Sequence, residues 1–588
     1  MKPTRKPLAS AKKIAYIFIV MSMLFHLACG RTDKHHIQQE KADLIFYNGT
    51  IYTVDPRFPR VEAVSVKDGL ILSVGEEKVL FSQRSPTTRM VDLKGKTLLP
   101  GLIDAHIHVI GLGRFLEELD LISTGSPEEM LERVKTALSG VRPGEWIRGR
   151  GWDQNKWKGK KFPDHRKLSE LTPDNPVILK RVDGHAALVN ARVLEICGIT
   201  ASTPDPPGGK ILRFPGSGEP TGVLIDEAVS LMDAHIPEPG EETYHRFISR
   251  GVARCLAAGL TTVHDPGESE IPVLVLKEMY RKGEISLRIY VMLEGKKPVT
   301  GKYLSSGPEI GLFDHHLTIR CIKIYADGAL GSRGAALLEP YSDDPANRGI
   351  VIMDEEEIYS VTKRALGAGF QVAVHAIGDR GNRNTLNAFE RALTETGADE
   401  SRLRVEHAQV LSPQDIPRFK NLGVIPSMQP AHCTSDMYWA GERLGPEREK
   451  GAYAWRSLLD LGARVPYGTD APVESENPFF GFYAAITRQD RNGWPPGGWH
   501  PEQAMTREEA LRSMTIDAAY AGFEEEIKGS ITPGKLADLV ILSKDIMKIP
   551  AAAILETQVM ATIVGGRIAY KAPGFLDGDV PETKEGKI

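Results

Sequence analysis

Leu98-Leu99-Pro100-Gly101-Leu102-Ile103-Asp104-Ala105-His106-Ile107-His108 is a mainly apolar run that ends on two histidines spaced two apart. On an extended strand that spacing turns both imidazoles to one side, where they can grip one ion together. A partly exposed strand end is the ordinary alternative, so the pair needs context. Seven further apolar runs follow: Leu260 to His264, Leu287 to Leu293, Thr318 to Ile324, Gln371 to His375, Leu403 to His407, Val424 to Met428 and Arg464 to Gly468. They alternate with helical patterns, which argues for βα units on a parallel sheet. Eight strands is the number that closes a TIM-like (β/α)8 barrel, an α/β fold whose chemistry gathers at the C-terminal ends of its strands.

The first and second runs lie about 150 residues apart, far more than one βα crossover requires. An insert of about residues 115–242 is therefore expected, as a lid or side unit over the mouth. Within it, Ser126 should cap a helix from Pro127 to Leu138, with Glu128 and Glu129 in the first turn. Short alternating runs with Asn-Gly, Asp-Gly and Asp-Pro turns fill 42–97, and the same texture returns over 528–572. The two segments are expected to pair into one β-sandwich flanking a central unit of 98–527, with 573–588 as a tail.

Groups that bind metal fall at the ends of expected strands one, four, five, six and eight. His375 and His407 each close an apolar strand, although a single strand-end histidine is more often structural. Asp470 closes Pro466-Tyr467-Gly468-Thr469-Asp470, where capping the next helix is the plain role. Lys323 sits inside the alternating strand Cys321-Ile322-Lys323-Ile324-Tyr325, where a solitary ammonium is expensive to bury.

Taken together, five motifs resemble the amidohydrolase superfamily, and within it the YtcJ-like branch also called amidohydrolase family 3. They are Pro100 to His108, Lys323-Ile324-Tyr325-Ala326-Asp327-Gly328-Ala329-Leu330-Gly331-Ser332, His375-Ala376-Ile377-Gly378-Asp379, Glu406-His407-Ala408-Gln409 and Gly468-Thr469-Asp470-Ala471-Pro472. The likeness runs over about residues 42–572. It implies a metal-dependent hydrolase with His106 and His108 on the more buried ion, His375 and His407 on a second, and Asp470 as shared ligand and catalytic proton acceptor. It also implies that Lys323 is carboxylated and bridges the ions, which removes the buried positive charge. One or two divalent ions are expected. Zinc suits the donors, and iron, manganese and cobalt are tolerated by similar sets. The expected reaction is hydrolysis of a carbon–nitrogen bond in an N-acyl or N-formyl compound; the alternatives are an ester substrate or a non-catalytic regulatory role.

Substrate contacts are expected from Trp152, His185, Arg333 and His432, with core packing the rival role for Trp152. A guanidinium fork suits a carboxylate, although Arg333 could equally pair with Glu339 or Asp327. His264 is placed at the mouth without a role. The first 29 residues read as a lipoprotein-type signal: five positive charges, an apolar run from Ile14 to Phe25, then Leu27-Ala28-Cys29. A linker, 30–41, follows. Export to the periplasm or anchoring by a lipid on Cys29 is the expectation. Removing residues 1–28 takes away five positive charges and no negative one, moving the formal charge from −4 to −9. Such a chain has no electrostatic reason to bind nucleic acid. The expected partner is a small-molecule substrate, with a homodimer left open. Cys197, Cys255, Cys321 and Cys433 lack paired spacing and are expected as isolated thiols.

Overall fold

The computed structural model describes residues 40–232, 235–236 and 239–576. The expected signal segment and Cys29 lie outside these residues. No helix among the described residues is long and apolar enough to cross a membrane.

At the centre is a curled parallel sheet. Its strands, in chain order, are β1 (Leu102–Asp104), β2 (Leu260–Glu268), β3 (Arg288–Glu294), β4 (Leu317–Tyr325), β5 (Gln371–Ala376), β6 (Arg404–His407) and β7 (Ile425–Ser427). Spatial order follows chain order, and each pair of neighbours is parallel. Helices fill the crossovers. Glu355–Gly367 starts on a capping box in which Asp354 and Glu357 satisfy each other's backbone N–H. Asp379–Thr396 ends on Gly397 in the left-handed region.

Two expected strands differ. The run Leu98 to His106 is split, because Thr97–Pro100 pairs antiparallel with Leu539–Leu542 while only Leu102–Asp104 joins the parallel sheet. Gly101 makes the break: a Cβ there would lie 2.1 Å from Thr261 Oγ1. The eighth run, Arg464 to Gly468, forms one parallel bridge, Met428 with Tyr467, rather than a strand. Pro466 has no N–H to give. The segment nonetheless bonds to both edge strands' neighbours: Ala105 N–H donates to Tyr467 O at 2.7 Å, and Met428 N–H to Pro466 O at 3.1 Å.

The segments that precede and follow the parallel sheet meet in a separate pair of sheets. One is made from Leu44–Tyr47, Ala63–Lys67, Leu70–Gly75 and Arg89–Asp92; the other combines Thr50–Tyr52, Arg60–Val61 and Thr97–Pro100 with Leu539–Leu542, Val559–Val564 and Arg567–Lys571. Phe46, Val64, Ile541 and Ile563 share one apolar cluster between them. Arg288 of β3 locks this unit to the parallel sheet through a buried bidentate pair with Asp538, at 2.7 and 3.1 Å.

The long connection from β1 to β2 carries its own six-stranded sheet, in spatial order Gly209–Arg213, Pro220–Asp226, Ala186–Val189, Val177–Arg181, Ile147–Trp152 and Leu119–Asp120. Its helix Pro127–Leu138 is capped by Ser126, whose side chain accepts from Glu129 N. The four described cysteines are free thiols.

Candidate metal centre

The chain leaves β1 at Asp104, so His106 and His108 do not sit on a strand. They occupy the turn before the helix Val109–Phe115, with His108 at its N-cap position. Their rings stand 5.6 Å apart at 81°, and hydrogen bonds to the chain after Tyr467 hold the turn. Asp104 accepts from His106 N (3.0 Å), Thr469 N (3.1 Å) and Thr469 Oγ1 (2.6 Å). Burial pushes the Asp104 carboxyl up to about 7. Asp470 N–H donates to His106 O at 2.7 Å, and His108 N–H to Ala471 O at 3.0 Å. Gly468 permits this approach: a Cβ would lie 2.8 Å from His106 Cβ. Asp470 and His407 both have positive φ, 57° and 74°, a strain that non-glycine residues carry only where the surroundings enforce it.

The side chains then converge on the Asp470 carboxylate. His108 Nε2 lies 3.3 Å and His106 Nε2 3.6 Å from Oδ1, while His432 Nε2 lies 3.7 Å from Oδ2. Burial works against its charge, but His108 beside it holds the carboxyl well below the carboxylate range. Donor atoms of His106, His407 and Asp470 all lie within 4.8 Å of one another. His407 packs 4.6 Å, centroid to centroid, from His375.

Each histidine has one nitrogen fixed from behind or left without a partner. His106 Nδ1 meets Glu406 Oε2 in a short bond, and His407 Nδ1 meets Gln429 Oε1 at 2.8 Å. These contacts leave both Nε2 atoms for the cavity, an arrangement typical of metal-ligating imidazoles. Nε2 of His375 and of His432 are buried without a hydrogen-bond partner among the described residues. Burial pushes His106, His375 and His407 down, which keeps them neutral and able to donate a lone pair. Neutral imidazoles around a buried carboxylate suit a divalent transition metal.

Lys323 of β4 is 1% exposed. Its Nζ lies 4.0 Å from the centre of the Tyr325 ring, and among the described residues no carboxylate is within ion-pair distance. Burial pushes the amine below the ordinary lysine range.

A cavity of about 990 Å³ joins these groups. His106, His108, Lys323, His375, His407 and Asp470 line it, as do His185 and His432. His185 Nδ1 is 2.7 Å from buried Asp226, and its ring is 5.0 Å from His375.

Trp152 and Arg333 are not brought there. The Trp152 indole is fully buried in the insert and donates to Leu179 O at 2.6 Å. Arg333 is held by Asp343 at 2.8 and 3.3 Å, a partner ten residues on. His264 lies under the site rather than at its mouth, with Nδ1 2.9 Å from Arg404.

Sequence reasoning missed the support behind the ligand candidates. Arg404 and Glu406 pair at 2.7 Å and are both fully buried. Burial pushes the Glu406 carboxyl up, but Arg404 and His106 outweigh it and hold the group ionised. Opposite charges two apart on an apolar strand were the available signal. Asp327 was read as part of a motif and as a possible partner of Arg333, and it has another role. It accepts from the N–H groups of Ala336, Ile377 and Gly378, tying the loop after β4 to the loop after β5.

A curled parallel sheet with a histidine–aspartate cluster past its strand ends defines an α/β protein with a candidate metal centre. The amidohydrolase family model matches residues 89–570, and the chain belongs to that family. Protein LONG AFTER FAR-RED 3 of Arabidopsis thaliana is 35% identical, with 90% of this chain and 92% of that protein covered. The putative amidohydrolase YtcJ of Bacillus subtilis is 32% identical and the N-substituted formamide deformylase of Arthrobacter pascens 29%, each over 90% of this chain and 99% of the relative. Among solved structures, an uncharacterized metal-dependent hydrolase from Pyrococcus horikoshii matches with a TM-score of 0.70 at 30% identity, covering 86% of this chain and 99% of that one.

Proposed function

We propose that this chain is a metal-dependent hydrolase of carbon–nitrogen bonds other than peptide bonds, acting on an amide of an N-acyl or N-formyl compound. The observation that carries the reading is the convergence of His106, His108 and His432 on the buried Asp470 carboxylate, inside a cavity that also receives Lys323, His375 and His407. Likeness to a formamide deformylase over 90% of the chain supports the bond class. Reading the bonds from residues 464–468 to both sides as closure makes the parallel sheet a (β/α)8 barrel.

In this reading His106, His108 and Asp470 would hold one divalent ion and His375 and His407 a second, with Lys323, as a carbamate, offering a further oxygen donor. Its neutral amine adds to carbon dioxide and loses one proton, giving an anionic oxygen donor where an ammonium would be costly. A divalent ion held here would supply Lewis acidity, to polarise a carbonyl and acidify a water molecule. Asp470, ionised and aimed into the cavity, accepts the proton of the attacking water and returns it to the leaving nitrogen. Glu406 keeps the His106 ring oriented by accepting from Nδ1–H. His185, braced by Asp226, faces the substrate from the insert.

The test is turnover of N-formyl and N-acyl amines, with matched esters, by the metal-supplemented full chain. Amide hydrolysis abolished by a chelator is expected. Ester-only turnover, or tight binding with no turnover, overturns the bond class.

A further inference from the structure

Arg150 has an unusual position for a half-buried cation. It belongs to the insert strand Ile147–Trp152 and lines the cavity that holds the candidate metal centre. Its Nε and Nη2 both donate to Val182 O, at 3.1 and 2.9 Å, which fixes the plane of the guanidinium. Among the described residues its Nη1 makes no hydrogen bond, and no carboxylate lies within ion-pair distance of any of its nitrogens. Two carboxylates of the insert that line the cavity are committed elsewhere. Asp183 gives Oδ2 to Arg181 and Oδ1 to His185 N, while Asp153 is bound by Arg181 at 2.5 Å. Arg181, one strand away, thus has two carboxylates, and Arg150 has a single carbonyl. Burial pulls Arg150 down from the usual guanidinium range, with the charge of Asp470 across the cavity the largest counterweight.

A fixed guanidinium without an anion, on the wall of a substrate cavity, matches a carboxylate better than any neutral group. The acidic groups that share the cavity make no ion pair with it among the described residues, and burial pushes the Glu268 carboxyl up to about 8. The role first expected of Arg333 is thereby open to a different arginine, since Arg333 is held by Asp343 and does not line the cavity.

We infer that Arg150 binds the carboxylate of the substrate, so that the preferred substrates are N-acyl or N-formyl amino acids rather than neutral N-substituted amides. The inference rests on the hydrolase reading above and assigns that site its substrate class. The parallel sheet would hold the scissile bond and the insert the anionic end.

The experiment compares kcat/KM of the metal-loaded full chain for an N-formyl amino acid and for the same compound as its carboxamide. The wild type should favour the acid about tenfold or more, and Arg150→Met should lower the acid-to-carboxamide ratio by ~30-fold, mainly through KM. Arg150→Lys should recover part of the ratio. Equal losses on both compounds, or a wild-type preference for the carboxamide, would overturn the assignment. If the wild type hydrolyses neither, the hydrolase reading fails by itself. Arg150 is then tested by calorimetry with N-acetylglycine: binding weakened about tenfold or more in Arg150→Met supports the clamp, and equal binding or none refutes it.

Discussion

Glu406→Gln tests the support of the candidate centre. Glu406 is fully buried and accepts from Arg404 Nε at 2.7 Å, from Arg404 Nη2 at 3.2 Å and from His106 Nδ1. Glutamine keeps the shape and removes the charge. Arg404 then retains only neutral partners: Ala105 O at 2.6 Å, Ser427 Oγ at 3.1 Å and His264 Nδ1 at 2.9 Å. Leaving one charge of a buried pair uncompensated costs about 3–5 kcal/mol. Separately, a residue that orients a metal-binding imidazole contributes ~10- to 100-fold in metal affinity or activity. Urea unfolding measures the first effect, and zinc competition against a fluorescent chelator the second. The double variant Arg404→Met with Glu406→Gln separates them, because removing both charges should restore most of the stability and none of the affinity. A Glu406→Gln protein with wild-type affinity would refute the idea that this carboxylate orients His106.

Other outcomes follow from the same geometry. Lys323→Ala should lower amide hydrolysis by about 100-fold or more, and added formate or acetate should restore part of it; unchanged activity would exclude a bridging carbamate. Trp152→Phe removes the bond to Leu179 O from the insert core, so it should destabilise the chain by roughly 1–3 kcal/mol and leave KM where it was; a large change in KM would return Trp152 to the cavity. Glu268 has its carboxyl raised by burial to about 8, so the folded chain keeps a proton that the unfolded chain loses above about pH 4.5. Wild-type stability should therefore fall relative to Glu268→Gln as pH rises, by about 4 kcal/mol between pH 5 and 9 in urea melts. A gap independent of pH would show that Glu268 is ionised throughout.

The order of strands was legible because a parallel sheet buried on both faces leaves continuous apolar runs, as in Val372-Ala373-Val374. Their ends were not. Gly101 divides one apparent run between two sheets, and that division depends on the proximity of Thr261, 160 residues later. The spacing of His106 and His108 was read through strand geometry, yet the turn that orients them is fixed by Asp104, Thr469 and Ala471. Substrate contacts were the weakest reading because they depend on which charges are already paired. Arg333 reads as available until Asp343 folds back on it, and Arg150 reads as ordinary until Asp153 and Asp183 both turn to Arg181.

The central claim is that His106, His108 and Asp470 would hold a divalent ion. Anomalous diffraction from crystals of the full chain grown with zinc tests it most directly. The account predicts density ~2.0–2.2 Å from an Nε2 of His106 and a carboxylate oxygen of Asp470, lost in Asp470→Ala. Zinc-saturated crystals with no anomalous peak between those side chains would contradict it.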